Sequence, residues 1–395
     1  METEIQPTRV YYIDWLRVFA VLLLVPFHTA MIFVHWDFHI KNDIPSDVLT
    51  DFNAFLGMWH MPLLFFLSGV GSWFALRFRS GGQYVRERFL RLFVPLIFGI
   101  AVIIPPQVYC ERLQQHQFKG SYLRFYPQAF NGVYPEGNLS WHHLWFLAYL
   151  FVFSLLALPL FLHFRSDQAQ STTERIATLF KRRGMLLLPA LPLMLIEATL
   201  IVKWSGPQNF VTDWANFCFS ITVFVFGFLL CAQASFSQAI AQQRRLCLLL
   251  GVGCVIFFKL LSVTGRDPVW GYNPACMAFL ALRGFNTWCW VLAILGYGKT
   301  YLDFSNRFLR YATEAVLPFY ILHQTVIVLI GFYVVQWKIP LAAKFLFINV
   351  TATAGTLFLY ELAVRRLPPL RFLFGMKRAR MRKHTLAETH RKPGS

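Results

Sequence analysis

Charge is what these 395 residues have least of. Only 14% are Asp, Glu, Lys or Arg, against roughly 25% in an ordinary soluble domain, while 56% are hydrophobic and 17% aromatic. That balance excludes a soluble globular domain and points to a polytopic membrane protein. Cysteine is scarce and unpatterned. The seven cysteines are odd in number, form no CxxC pair and sit almost all in apolar stretches, so neither a disulfide framework nor a metal centre is expected. Low-complexity segments and obvious repeats are missing. So are a GxSxG elbow and a Ser-His-Asp order, which argues against a covalent acyl-enzyme. The net charge of +18 has no soluble basic domain to sit on, which excludes a nucleic-acid partner.

What the chain has instead is long apolar runs. A spanning helix needs about 20 mostly apolar residues, and ten segments qualify: 11–35, 53–75, 90–109, 143–163, 185–203, 213–233, 246–264, 275–297, 312–335 and 341–364. Inside hydrocarbon every backbone polar group must pair within its own segment, so these runs predict helices. The fold class expected is all-α, a membrane bundle of about ten transmembrane helices.

The positive charges set its orientation. The N-terminal side and every second loop after it hold 26 of the 37 lysines and arginines; the alternate loops hold seven and the spans themselves four. Positive loops stay in the cytoplasm, so both termini are expected there, in the inner membrane. The first span is too long for a signal-peptide core and lacks a small-x-small cleavage site, so it should be retained. Residues 1–370 read as one transmembrane domain. Residues 371–395 read as a basic cytoplasmic tail, disordered and close to anionic lipid.

Ionisable groups within a span are costly, face the protein interior and tend to mark function. The first span holds three, Asp14, Arg17 and His28. At 100° per residue, Arg17 and His28 differ by about 20° and Asp14 and His28 by about 40°, so all three share one stripe. At 1.5 Å per residue His28 lies roughly 16 Å beyond Arg17. Pro26 removes a backbone hydrogen bond from Leu22 and predicts a kink just before His28. Plainer readings stand beside this one: an interfacial ion pair of Asp14 with Arg17, and a packing histidine at 28.

Other spans add candidates. His60 opens a segment that continues to Ser68 and Gly69, where small residues suggest helix packing. Tyr320 and His323 lie one turn apart on one face, as a structural bridge or as part of a site. Arg88 and Arg91, spaced i and i+3, fit positive-inside anchors or a cradle for phosphate. The outer loop from Cys110 to His142 is rich in Tyr, Phe and Trp, fitting an interfacial belt or a platform for a sugar; His143 and Trp145 follow it. Glu314 and Glu361 lie near the cytoplasmic face, where partner arginines make them cheap.

Taken together, these pieces resemble the acyltransferase-3 family of integral membrane acyltransferases. The resemblance rests on Arg17 to His28 with ten residues between, MPLLFFLSG after His60, the RxxR pair Arg88 and Arg91, HHLWFL at 142–147 and LPFYILHQ at 317–324. The closing LYELAVRRLPPLRFLFGMK (359–377) is similar to a glucan-succinylating branch of that family. The resemblance implies transfer of an acyl group, acetyl or succinyl, from cytoplasmic acyl-coenzyme A to a hydroxyl of an outward-facing glycan or lipid-linked saccharide. It implies His28 as catalytic base with Arg17 required, and Arg88 and Arg91 on the donor side. Asp14, His323 and Tyr320 join the expected catalytic group; His60, His143 and Trp145 join the expected substrate-binding group. No permanently bound cofactor is expected. Some relatives carry a further extracytoplasmic domain, so a second step would need a partner here.

The chemistry agrees with that implication. A thioester is already activated, so the protein must take a proton from the acceptor hydroxyl and stabilise an oxyanion. A neutral histidine suits the first task and a cation in a low-dielectric pocket the second. A rival reading uses Asp14, His28, His323 and Glu361 as the relay of a proton-coupled transporter. It calls for inverted repeats, and no internal symmetry is visible.

Overall fold

The structure, a computed structural model, describes residues 9–166, 180, 182–231 and 234–377. Most of the basic tail, and Arg175 and Lys181 of the loop after residue 163, lie outside the described residues. Among the described residues the fold is all-α. The only extended pairing is an isolated bridge between Val133 and Leu139 in the outer loop.

Each apolar run expected to span contains helix. Among the described residues eight helices are long and apolar enough to cross a membrane, with a ninth crossing if a bent pair counts as one. That pair, His142–Leu156 with Leu158–Phe164, bends by 50°. Pro159 explains the bend, because it has no N–H to offer the carbonyl one turn back. The segment predicted over 185–203 is the shorter helix Met185–Leu200. Gly184 turns the chain with φ +84° just before it, and Pro189 sits at its N-cap.

The first span is two helices, α1 (Tyr11–Leu22) and α2 (Leu24–Met31), parted at Leu23. The break falls where Pro26 withholds a hydrogen bond from the carbonyl of Leu22. The second span is likewise divided into α3 (Asp47–Gly57), capped by Ser46, and α4 (His60–Arg77). The third, α5 (Gly81–Gln114), is one span that carries two π-turns, Phe89–Phe93 and Gly99–Ile103, and a bend at Ile104 just before Pro105. Each π-turn inserts a residue and shifts the faces that follow. After α5 the outer loop forms a helical turn, α6 (Tyr122–Phe125), that continues as a 3-10 turn over Tyr126–Phe130. The later helices are α7 (Trp145–Leu156), α8 (Leu158–Phe164), α9 (Ala190–Leu200), α10 (Trp214–Cys231) and α11 (Ala234–Val263). They continue as α12 (Pro274–Tyr301), α13 (Arg307–Val334), α14 (Leu341–Leu359) and α15 (Pro368–Leu373).

Lipid offers little hydrophobic drive between helices, so close packing of small residues has to supply it. Gly69 on α4 and Gly227 on α10 do this reciprocally. A Cβ on Gly69 would stand 2.0 Å from the carbonyl oxygen of Phe224, and one on Gly227 would stand 2.0 Å from that of Phe66. The small-residue packing expected at Gly69 is thus realised. The seven cysteines are free thiols, five of them buried.

Several charged groups that enter the bundle find partners. Lys344 Nζ donates to Asn42 Oδ1 at 2.8 Å and to the Val335 carbonyl at 2.7 Å. Glu314 takes Arg371 at 3.2 Å and Glu361 takes Arg365 at 2.9 Å, the arginine partners expected for both. The outer loop does not lie as a simple belt. Phe125 is buried, and with Tyr109, Phe118 and Tyr122 it forms a small aromatic core on the end of α5. Arg112 ties the loop down, donating to Gln115, Gln117 and Asn138 side chains and to the carbonyls of Pro135 and Gly137.

Candidate active site

Two features meet in the middle of the bundle. One is a cleft of about 560 Å³ entered from the end that carries Arg9, Arg79 and Lys377. The other is a group of histidine rings further along the same axis.

The cleft is walled by α1, α4, the start of α5, α7 and α13. Arg9, Arg17, Arg79, Arg88, Arg91 and Lys377 face it, against the two carboxylates Asp14 and Glu87. Asp14 holds two guanidiniums, with Arg9 Nε at 2.6 Å and Arg17 Nη1 at 3.5 Å. The other arm of Arg17 reaches the Leu67 carbonyl of α4 at 3.3 Å. Arg88 lies over the Tyr84 ring and donates to Ser72 Oγ at 3.3 Å. Arg91 donates to the Gly375 carbonyl at 3.3 Å and pairs with Glu87 at 3.5 Å. Cations outnumber anions threefold here, and arginine forks are suited to phosphate oxygens. The deep end is apolar except for Tyr320, with Val21, Leu64 and Phe146 beside it.

Tyr320 joins the cleft to the histidines. Its hydroxyl donates to the backbone carbonyl of His143, and its own carbonyl receives Nδ1 of His323 at 2.6 Å. A carbonyl can only accept, so His323 carries its proton on Nδ1 and offers a lone pair at Nε2. That Nε2 lies 3.0 Å from Nδ1 of His28, which also lies 3.0 Å from the Leu24 carbonyl. The same reasoning puts the His28 proton on Nδ1, shared between the carbonyl and His323. The Nε2 of His28 is left as a free lone pair, with no hydrogen-bond partner among the described residues. His143 completes the group. Its ring centroid lies 5.2 Å from that of His323 and 6.5 Å from that of His28. Its Nε2 donates to the Ile321 carbonyl at 3.0 Å, and its buried Nδ1 finds no partner among the described residues.

The residues expected from sequence therefore divide. Asp14, Arg17, Arg88, Arg91 and Tyr320 share the cleft, and His28, His323 and His143 share the ring cluster. His60 is buried next to it, donating to the Ala20 carbonyl at 2.6 Å and so pinning α4 to α1. Trp145 joins neither group; it packs on Phe65 and Tyr149. Of the four groups in the transporter relay only His28 and His323 touch, since Asp14 is taken by arginines and Glu361 by Arg365.

Some of the site was not anticipated. Arg9, Arg79 and Lys377 were counted only as topology anchors, yet they face the cleft. Beyond the rings, His39, Glu111 and His142 gather at the other end, where Tyr134 donates to Glu111 Oε1 at 3.0 Å. Burial and the Glu111 carboxylate push the Tyr134 phenol above its ordinary value, so it stays a donor.

A profile of the Acyltransferase domain of the acyltransferase-3 type matches residues 10–361, which spans every helix that builds the cleft and the ring cluster. The chain belongs to this acyltransferase family. It is an enzyme, an acyltransferase embedded in a membrane. Curated relatives cover nearly its full length. Glucans biosynthesis protein C of Escherichia coli O6:K15:H31 is 24% identical over 379 residues, 93% of this chain and 95% of that protein. The protein of that name from Shigella dysenteriae serotype 1 gives the same values. That of Salmonella agona is 23% identical over 386 residues, 95% and 97% of the two chains.

Proposed function

We propose that this acyltransferase takes an acyl group, acetyl or succinyl, from acyl-coenzyme A on the cytoplasmic side and delivers it to a hydroxyl of a glycan or lipid-linked saccharide on the outer side of the inner membrane. The observation that carries the reading is the free Nε2 of His28, held as a lone pair by the proton pattern of His28 and His323. The six cations of the cleft suit the phosphates of coenzyme A, and the apolar deep end suits the pantetheine arm. Charge supports the orientation, because the cleft opens at the end where the lysine- and arginine-rich loops lie. Relatives named for glucan biosynthesis make a glucan the first acceptor to test.

In this reading His28 Nε2 takes the proton as the acceptor oxygen attacks the thioester carbonyl. A tetrahedral oxyanion forms and collapses, the C–S bond breaks, and the ester forms. The proton returns from His28 to the departing thiolate, giving coenzyme A as free thiol. Arg17 supplies positive charge near the reacting carbonyl or the donor phosphates. Asp14 holds that guanidinium, and His323 holds the base.

The test is transfer of radiolabelled acetyl or succinyl from its coenzyme A thioester to periplasmic glucan by the protein in proteoliposomes. Transfer should occur with the unaltered protein and vanish in His28→Ala, while both elute alike from gel filtration. Full transfer by His28→Ala would exclude the proposed base.

A further inference from the structure

A second cluster of ligand-type side chains stands at the outer end of the bundle, apart from the cleft. His39 follows α2, Glu111 closes α5 and His142 ends the outer loop. One nitrogen of each histidine and one oxygen of the carboxylate all lie within 4.8 Å of one another. Three distant segments, separated by 72 and 31 residues of sequence, thus converge on one point. His39 Nδ1 lies 2.7 Å from Glu111 Oε2, and the His39 and His142 rings are 4.0 Å apart.

Protein contacts account for most of this cluster but leave a remainder. Glu111 is satisfied: its Oε1 takes the Tyr134 hydroxyl at 3.0 Å and lies 3.8 Å from Arg112, and its Oε2 has His39. His142 is not. Its Nε2 is buried and has no hydrogen-bond partner among the described residues. Its backbone also stands at φ +37°, a left-handed conformation that a histidine adopts at a cost. A buried ring nitrogen left without a partner, on a strained backbone beside a second histidine and a carboxylate, calls for a ligand.

We infer that His39, Glu111 and His142 form a binding site for a divalent transition-metal ion of the zinc type. Two imidazole nitrogens and one carboxylate oxygen are the donor set that zinc accepts, with a fourth position left for water. The ion replaces the proton shared by His39 and Glu111 and engages the second histidine. Tyr134, donating to the other carboxylate oxygen, orients the ligand as outer-shell partners commonly do. The site joins the outer loop to the end of α5 and to the residue that precedes His143. An ion there would fix the loop over the ring cluster without entering the transfer chemistry.

The test uses the full chain in detergent, stripped with EDTA, dialysed and titrated with zinc chloride and with cobalt chloride. One equivalent should bind, and cobalt should show the visible absorption of a tetrahedral site. Glu111→Gln keeps the shape of the side chain, and His142→Ala removes the unsatisfied ring; each should weaken binding by about tenfold or more. His28→Ala serves as the control and should bind as the unaltered protein does. Gel filtration and the melting temperature without metal identify any variant that fails to fold, in which case His39→Gln replaces it. The inference is overturned by no stoichiometric uptake in the unaltered protein. Uptake that Glu111→Gln leaves unchanged, or that His28→Ala removes, overturns it too. Binding is read without any acyl donor, so a failed transfer assay and a failed metal titration stay distinct.

Discussion

His323 presents its Nε2 to Nδ1 of His28 at 3.0 Å, across 295 residues of chain. With its own Nδ1 proton fixed on the Tyr320 carbonyl, it can only accept from His28. His323 and the Leu24 carbonyl together leave Nε2 of the proposed base free, and His323 is a positioning residue. His28→Ala should lower kcat by about 10²–10⁴-fold, the usual worth of a general base. His323→Ala should lower kcat less while leaving KM for the acyl donor nearly unchanged. Steady-state kinetics with the donor varied checks this. A rise in KM at constant kcat would place His323 in donor binding instead.

Arg88 and Arg91 both line the cleft from a stretch of α5 that includes a π-turn. Replacing both with glutamine should raise the dissociation constant for acyl-coenzyme A by about tenfold or more, since each charged hydrogen bond to phosphate is worth about 1.5–3 kcal/mol. Calorimetry in detergent measures it. A dephospho-coenzyme A thioester should show a smaller difference between the two proteins.

Gly69→Val tests the contact between α4 and α10. The added Cβ meets the Phe224 carbonyl, which is backbone and cannot swing aside. Overpacking of this kind costs about 1–3 kcal/mol or more. The melting temperature in detergent should fall, and Gly227→Val should lower it likewise. The double variant should cost less than the sum, because both substitutions separate the same helix pair.

Arg112→Lys tests the outer loop. Lysine keeps the charge but cannot span five acceptors lying around a planar fork. Hydrogen–deuterium exchange should accelerate across residues 116–141 and stay unchanged in α12 and α13. Unchanged exchange in the loop would mean that its aromatic core alone holds it.

The bundle was legible because hydropathy reports a property of each segment by itself. Ten apolar runs needed no knowledge of their neighbours. The break at Leu23 was legible too, through Pro26, whereas Pro159 and the bend it puts in the α7–α8 pair went unread. The stripe of Asp14, Arg17 and His28 was correct as angular counting but incomplete, since the helix break assigns Arg17 to the cleft and His28 to the rings. What tied His28 to His323 and His143 was invisible, because it depends on how three separate spans pack. Trp145, expected in the substrate-binding group through the HHLWFL resemblance, packs on Phe65 and Tyr149 and stands with neither the cleft nor the rings, a placement that depends on packing and not on motif. His39 and Glu111 had no motif at all, and the reading of no metal rested on cysteine spacing alone.

The interruption at Leu23 has a bearing on how one span can serve two substrates. Arg17 and His28 stand on either side of the one backbone rung that Pro26 removes, the bond to the Leu22 carbonyl. The inner helix is fastened through Asp14 and the Leu67 carbonyl, and the outer one through His323. In the proposed function the donor-side guanidinium and the base are thus anchored by separate partners.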